Sequence, residues 1–183
     1  DDFFIYRNRP RLTLWDAEAI ANESILAEAV SPEADVMRPV AFESEVLDNV
    51  YIVGSNEKYT ETGNVSPEVG RFITQQDYDA HRSVAVIGIE VANKLFRNRN
   101  PIGQNIRIGA HRYTVIGVLE KMGTSFGMSL DNQVIIPLGT MLQHFGRRRD
   151  LSIAVKATDA SQVEDLKEEL TGILRRSRNI APG

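Results

Sequence analysis

One stretch, residues 84–137, constrains the fold of this 183-residue chain more than any other. Two apolar runs, residues 84–87 and 115–119, bracket a short amphipathic helix pattern and a hairpin punctuated by glycine and proline. An apolar run without polar alternation is typical of a strand buried on both faces. A third such run, residues 134–136, follows a glycine-rich loop. The stretch therefore predicts a module of strands, one helix and one hairpin, and it contains no pattern typical of a catalytic centre.

Helix and strand patterns precede this stretch. Thr13 and Asp16 have the spacing of a capping box, and apolar residues at helical spacing follow, which predicts a helix over residues 14–29. Alternation of apolar and polar residues then predicts two antiparallel strands, residues 36–45 and 47–54.

The last third of the chain repeats the combination of a strand and a long helix. A strand is predicted at residues 151–156, and Ser161 with Glu164 has the spacing of a capping box for a final helix. A charged connector is predicted at residues 77–83. The order of helix, strands, β-rich block, strand and helix predicts an α+β fold.

Composition and charge indicate a globular protein and disfavour nucleic-acid binding. Hydrophobic residues make up 42% and charged residues 25%, which is typical of a globular protein. The net charge of −4 disfavours nucleic acid as a partner, and the single basic run, residues 147–149, is interpreted as a solvated face. The chain has no cysteine, which excludes disulfides and thiolate metal sites. No apolar run approaches the roughly 20 residues that span a bilayer.

Side chains that could carry chemistry are few and scattered. The three histidines, His81, His111 and His144, lack the spacing of a helical metal site, and we expect them to be surface residues. Asp77 and Asp131 are acids that the sequence does not bring together, and acids in connectors are usually solvated or cap helices. An enzyme using Asp77, His81 and Asp131 is retained as a hypothesis that requires these side chains to converge.

The glycine-rich loop at residues 122–132 is the candidate site for a partner. It has no lysine after its second glycine and leads into a strand, so it does not predict a phosphate-binding loop. We expect it to have little order of its own, with apolar side chains that either enter the core or bind a partner. The candidate partner-contact residues are Gly123, Ser125, Phe126, Gly127 and Met128.

Seven segments, spread over nearly the whole chain, carry a family resemblance through their order and spacing. The most informative reads VAVIGIEVANKLF at residues 84–96, followed by PIG at residues 101–103 and YTVIGVLEKMG at residues 113–123. The others are residues 12–17, 70–74, 123–137 and 174–178. Together they resemble the extracytoplasmic core domain of the MacB-type ABC transporter permeases, a group that includes FtsX-like and lipoprotein-releasing permeases.

The resemblance implies a fold and its subdivision. Residues 1–96 and 134–183 would form a layered, Porter-like α/β subdomain, and residues 97–133 an inserted, β-rich, Sabre-like subdomain. The chain would be the loop between the first two membrane helices of a permease, on the periplasmic or extracellular face of the cytoplasmic membrane. It would have no catalytic residues, no cofactor and no metal.

The resemblance also implies partners. ATP hydrolysis would occur on a cytoplasmic ABC ATPase subunit or domain, and its movement would pass through this domain to a membrane-fusion adaptor or a substrate. The full transporter would be a homodimer and the isolated domain a monomer, with no nucleic acid bound. Two alternatives stay open: an FtsX-like or lipoprotein-releasing permease domain, and a free-standing α+β domain that binds a ligand or protein.

Overall fold

The computed structural model describes residues 2–6, 11–147 and 150–180, so Arg148 and Arg149 of the predicted basic run lie outside the described residues. The helices are α1 (Leu14–Glu23), α2 (Tyr59–Thr62), α3 (Gln75–Asp79), α4 (Ile89–Phe96), α5 (Leu138–Phe145) and α6 (Val163–Ile180). The first strands are β1 (Phe3–Tyr6), β2 (Ala27–Phe42), β3 (Glu45–Ser55), β4 (Pro67–Gly70), β5 (Val84–Ile87) and β6 (Asn105–Ile108). The remaining strands are β7 (His111–Leu119), β8 (Thr124–Ser125), β9 (Met128–Ser129), β10 (Gln133–Pro137) and β11 (Ser152–Ala157). The predicted α+β class is confirmed.

The local sequence pattern predicted the start of the first helix correctly but not its end. The predicted capping box of Thr13 and Asp16 is present, but α1 ends at Glu23 instead of residue 29. Ser24 is extended, with ψ of 132°, and the Glu169 carboxylate accepts hydrogen bonds from the Ser24 hydroxyl and the next two backbone amides. From Ala27 the chain pairs with β11 as a strand, so a tertiary contact overrides helix propensity.

The chain divides into two compact units. Unit 1 comprises residues 1–33, 58–64 and 150–183, and unit 2 comprises residues 34–57 and 65–149. This division does not coincide with the predicted boundaries at residues 97 and 133. The predicted insertion contained only the glycine-rich hairpin and the loop after it, whereas long-range strand pairing joins β3, β5 and β10 to that hairpin.

Unit 1 is a helical layer on a three-stranded antiparallel sheet. The strand order is β1, β11 and the first part of β2. Its core consists of apolar side chains from α1, α6 and the sheet, including Ile20, Val155 and Leu170, which are all fully buried. The final helix begins later than predicted. Asp159 caps a 3-10 turn over Ala160–Gln162, and α6 follows at Val163, so the predicted Ser161 cap is wrong.

Unit 2 is built on a ring of six strands. The second part of β2 pairs with β3, followed by β10, β5, β7 and β6, and β6 pairs back with β2 at Val40 and Ala41. Closure removes the sheet edges along these pairs, which are liabilities for aggregation. The predicted strand at residues 84–87 is confirmed as β5, and three of its four residues are fully buried.

The predicted connector at residues 77–83 begins inside a helix. A capping box of Thr74 and Asp77 starts α3, so Asp77 has the second of its two expected roles, that of a helix cap, and it is fully buried. The prediction of a connector was wrong at its start because a short polar helix has almost no apolar periodicity. The spacing of the capping box was nevertheless present in the sequence.

Candidate functional site

The glycine-rich loop forms a small hairpin, which we call the tip hairpin (residues 122–130). Thr124 pairs with Ser129 and Ser125 with Met128, which leaves Phe126 and Gly127 as the turn. Both turn residues have positive φ, 50° for Phe126 and 76° for Gly127. Positive φ at both central positions is the requirement of the type I′ turn that matches the twist of two-residue hairpins. The expectation of a loop with little order was therefore wrong.

Phe126 is an unfavourable residue at this position for folding. A left-handed backbone costs an ordinary L-residue roughly 1–2 kcal/mol, and Asn or Gly would avoid most of that cost. The Phe126 side chain regains nothing by burial, because it is fully exposed. Met128 is 69% exposed and Leu130 36% exposed on the same hairpin. Phe126 is thus both strained and exposed, and its side chain does not contribute to the core.

The base of the tip hairpin is fixed by Asp131. Its carboxylate is almost fully buried and accepts hydrogen bonds from the backbone amides of Met122 at 2.7 Å and Gly123 at 3.0 Å. The Leu130 amide closes the hairpin by donating to the Gly123 carbonyl at 2.9 Å. A buried carboxylate that accepts two amide hydrogen bonds makes strong, charge-assisted contacts, so the base is held firmly.

Asp131 is in turn held against the start of α4. Its carbonyl accepts the Glu90 amide at 3.2 Å, and a Cβ added to Gly88 would lie 2.2 Å from the same carbonyl oxygen. Gln133 adds a second link, since its side-chain amide donates to the Leu130 carbonyl at 2.9 Å. Hydrogen bonds and close packing thus attach the base of the tip hairpin to the place where the end of β5, the start of α4 and the start of β10 meet.

The five predicted partner-contact residues all lie in the tip hairpin. Phe126 and Met128 carry its exposed apolar surface, and Gly123 and Gly127 have positive φ, where a side chain would be strained. Sequence reasoning named Asp131 only as an acid of the enzyme hypothesis and gave Gly88 no site role, so it missed that both residues hold the base. The spacing of an acid eight residues after a loop glycine carries no signal by itself, because the contact depends on the fold.

The residues of the enzyme hypothesis have other roles. Burial raises the pKa of Asp77, but hydrogen bonds from Arg71, the Thr74 amide and Arg82 outweigh it and hold the pKa well below its ordinary value. His81 is exposed, with its Nδ1 2.8 Å from the Gln143 side-chain amide. Asp131 binds loop amides. Each side chain is thus engaged locally, and the hypothesis has no support.

The two other histidines are not isolated surface residues, contrary to the sequence-based expectation. His111 and His144 stack, with ring centroids 3.7 Å apart and an angle of 1° between the planes. Within residues 2–6, 11–147 and 150–180, no group of three or more His, Cys, Asp or Glu side chains could hold a metal ion. In the same part of the chain, no helix has the length and apolar character needed to cross a membrane.

Fold and site together define an α+β domain of two compact units, one of which presents an anchored apolar hairpin. The chain belongs to the MacB-like periplasmic core domain family, whose model matches residues 1–173. The family is found in ABC transporter permeases related to export, and it places this chain on the extracytoplasmic side of the membrane.

Two relatives show the extent of the similarity. The macrolide export ATP-binding/permease protein MacB of Bdellovibrio bacteriovorus is 27% identical over 173 residues, which cover 94% of this chain and 26% of the relative. The pyoverdine export ATP-binding/permease protein PvdT of Pseudomonas aeruginosa is 31% identical over 165 residues, or 86% of this chain and 25% of the relative. The chain thus spans about a quarter of the length of these curated relatives.

Solved structures share the fold. The periplasmic region of MacB from Actinobacillus actinomycetemcomitans matches with a TM-score of 0.82 and 20% identity, over 95% of this chain and 82% of that one. The extracellular domain of the ABC-type transporter YknZ from Gram-positive bacteria matches with a TM-score of 0.79 and 20% identity, over 97% and 93%.

Proposed function

We propose that this chain is a non-catalytic coupling domain of an export transporter. It passes movement driven by ATP hydrolysis on a cytoplasmic ABC ATPase to a membrane-fusion adaptor or a substrate outside the membrane. The names of the relatives, which combine ATP-binding and permease functions, support the ATPase as a partner. In this proposal the chain uses no cofactor, acts within a homodimeric transporter, and is a monomer when isolated.

The single observation that carries the proposal is the strained, exposed Phe126 on a fixed base. A coupling surface has to be exposed before the partner binds, and it has to be rigid enough to transmit displacement. The tip hairpin combines both properties, because its apolar side chains are exposed and its base is hydrogen-bonded to a buried carboxylate. Aromatic and methionine side chains are also enriched in the buried centres of protein interfaces.

The test uses a variant that removes the apolar surface without weakening the fold. Phe126→Asn creates Asn-Gly, the preferred pair for a turn with two positive φ values, and should raise the free energy of unfolding by about 0.5–1 kcal/mol. Combined with Met128→Ser, it removes the two most exposed apolar side chains of the hairpin. We expect the double variant in the full-length transporter to lose adaptor-stimulated ATP hydrolysis while basal hydrolysis is unchanged.

Val46→Ser is the matched control, because Val46 is 59% exposed and lies in the same unit on β3. It removes a similar apolar surface away from the tip hairpin and should leave adaptor stimulation intact. Unchanged stimulation in the double variant, or equal loss in the Val46 control, would refute the assignment of the tip hairpin as the coupling contact.

A further inference from the structure

A histidine pair joins the end of α5 to the β6–β7 hairpin. His144, in the last turn of α5, stacks on His111, the first residue of β7, with 3.7 Å between the ring centroids. The Tyr113 hydroxyl lies 2.5 Å from His144 Nδ1, and Tyr113 itself is fully buried. Phe145 meets both imidazole rings edge-on, with centroid distances of 6.2 and 6.3 Å. Ring contacts and the Tyr113 hydroxyl therefore hold the end of α5 against the β6–β7 hairpin.

The arrangement fits neutral rings and not charged ones. Burial raises the pKa of Tyr113, so its hydroxyl stays protonated and can donate to a neutral Nδ1 of His144. Burial, followed by the proximity of His111, lowers the pKa of His144. Two imidazolium rings in parallel contact would place like charges within about 4 Å of each other, where repulsion in a partly buried site is strong.

No ion pair with a carboxylate stabilises a charged form of either ring in the described part of the chain. From β2, the Arg38 guanidinium lies 5.9 Å from the centre of the Phe145 ring. On the β6–β7 hairpin, Arg107 and Arg112 are directly opposite each other and one register position from His111, so they lie on the other face of the hairpin. Arg147 follows α5. On α5 itself, Gln143 is neutral and contacts His81.

The position of the pair gives it a consequence for the chain path. Gly146 directly follows α5 and belongs to unit 2. Gly146 follows the helix with φ of 111°, a conformation that favours glycine and offers little resistance to a change in direction. Release of the last turn of α5 would therefore let the helix end move away from the β6–β7 hairpin.

We propose that the His111–His144 stack is an acid-sensitive latch that fastens the end of α5 to the β6–β7 hairpin when neutral and releases it when protonated. A domain on the extracytoplasmic side experiences the pH of its surroundings, so the latch would loosen the end of α5 in mildly acidic conditions. The inference concerns regulation of the domain and does not depend on the tip hairpin.

The test is a pH titration of the 183-residue chain by NMR, with hydrogen exchange of the α5 amides. In the wild-type chain, His144 should titrate below the ordinary histidine value of about 6.5. Exchange of the last-turn amides, corrected for the intrinsic pH effect, should accelerate on the order of tenfold between about pH 7.5 and pH 5, since linkage allows tenfold per proton per pH unit. In His111→Phe, which keeps an aromatic ring without a charge, this acceleration should be lost and His144 should titrate closer to 6.5.

His81→Asn is the matched control, because it removes one histidine near the other end of α5, where the His81 ring lies against Gly139. Asparagine tolerates the positive φ of 50° at this position, and the pH response should be unchanged. Equal acceleration in His111→Phe would overturn the proposal. If that variant does not fold, a wild-type His144 that titrates at or above 6.5 would overturn it alone.

Discussion

At the scale of single residues, the fully buried Asp77 shows how a charge can stabilise a short helix. Its carboxylate forms ion pairs with Arg71 at 2.7 Å and Arg82 at 2.9 Å, and it accepts a hydrogen bond from the Thr74 amide at 2.9 Å. The two arginines are about half exposed, at 49% and 50% of their side chains, so water screens part of the attraction. Asp77 therefore acts as a structural hub for α3 and the chain on either side of it.

Asp77→Asn should lower the free energy of unfolding by about 2–3 kcal/mol, because it removes the charge between two guanidinium groups inside a buried site. The decrease would be measured as a lower urea midpoint at an unchanged m-value. Asp79→Asn, an exposed neighbour on the same helix, is the control and should stay within about 0.5 kcal/mol of the wild type. A midpoint shift of equal size in both variants would show that the hub contributes nothing specific.

The sequence indicated a cap at Thr74 and Asp77 only through spacing, and it did not indicate the two arginines. Arg71 is six residues before Asp77 and Arg82 five residues after it, separations that fit no regular element. They converge because β4 leads into Arg71 and because α3 ends in a turn where the Arg82 amide donates to the Asp77 carbonyl. Side-chain clusters of this kind depend on chain reversal, which local pattern does not specify.

At the scale of elements, strands with strong apolar runs were predictable and the end of α1 was not. Residues 84–87 are uniformly apolar, so burial on both faces follows from composition, and β5 has these bounds. Residues 27–29 read Ala-Glu-Ala and precede Pro32. This pattern fits the end of a helix as well as a strand. The pairing with β11 decides in favour of the strand, and that partner lies more than 100 residues away.

The tip hairpin should be dispensable for folding, because a backbone hydrogen bond at its base holds the two ends of the hairpin together. The Leu130 amide donates to the Gly123 carbonyl, so Asn-Gly in place of residues 124–129 would connect the same two positions. Shortening a closed loop changes its entropy only slightly, and we expect the free energy of unfolding to change by less than about 1 kcal/mol. Urea denaturation of the shortened chain measures this change.

The control for this deletion is Asp131→Ala, which keeps the loop length but removes the acceptor of two amide hydrogen bonds. It should cost about 1–3 kcal/mol, since two partly buried amides are left without their acceptor. Loss of a cooperative transition in the shortened chain would show that the tip residues are part of the core of unit 2.

At the scale of the whole molecule, the family and the α+β class could be predicted from sequence, but the division into units could not. The motif order of residues 84–123 can be read directly from the local sequence. The division depends on which strands share hydrogen bonds, and the decisive contact is β6 with Val40 and Ala41 of β2, which closes the ring. No residue in β2 or β6 predicts this pairing, because any strand with alternating apolar residues could pair with β2 at Val40 and Ala41.

The two units should respond to strong acid through different carboxylates. Burial raises the pKa of Glu169 in unit 1, but the Ser24 hydroxyl and the amides of Ile25 and Leu26 outweigh it and lower the pKa. In unit 2 the pKa of Asp77 is lowered in the same sense. For a lowered pKa, the unfolded state binds the proton first, so each group stabilises its unit above about pH 4 and loses that contribution as the pH falls further.

Single variants should therefore separate the two acid responses. Glu169→Gln should flatten the pH dependence of amide protection in β11 below about pH 4, and Asp77→Asn should flatten it in β10, because each removes one linked proton. Hydrogen exchange read by NMR on these two strands measures both effects in the same sample. If either variant changed the protection of β10 and β11 equally, the units would unfold as one cooperative structure. In that case the compact units would share a single stability, and acid would act on the chain as a whole.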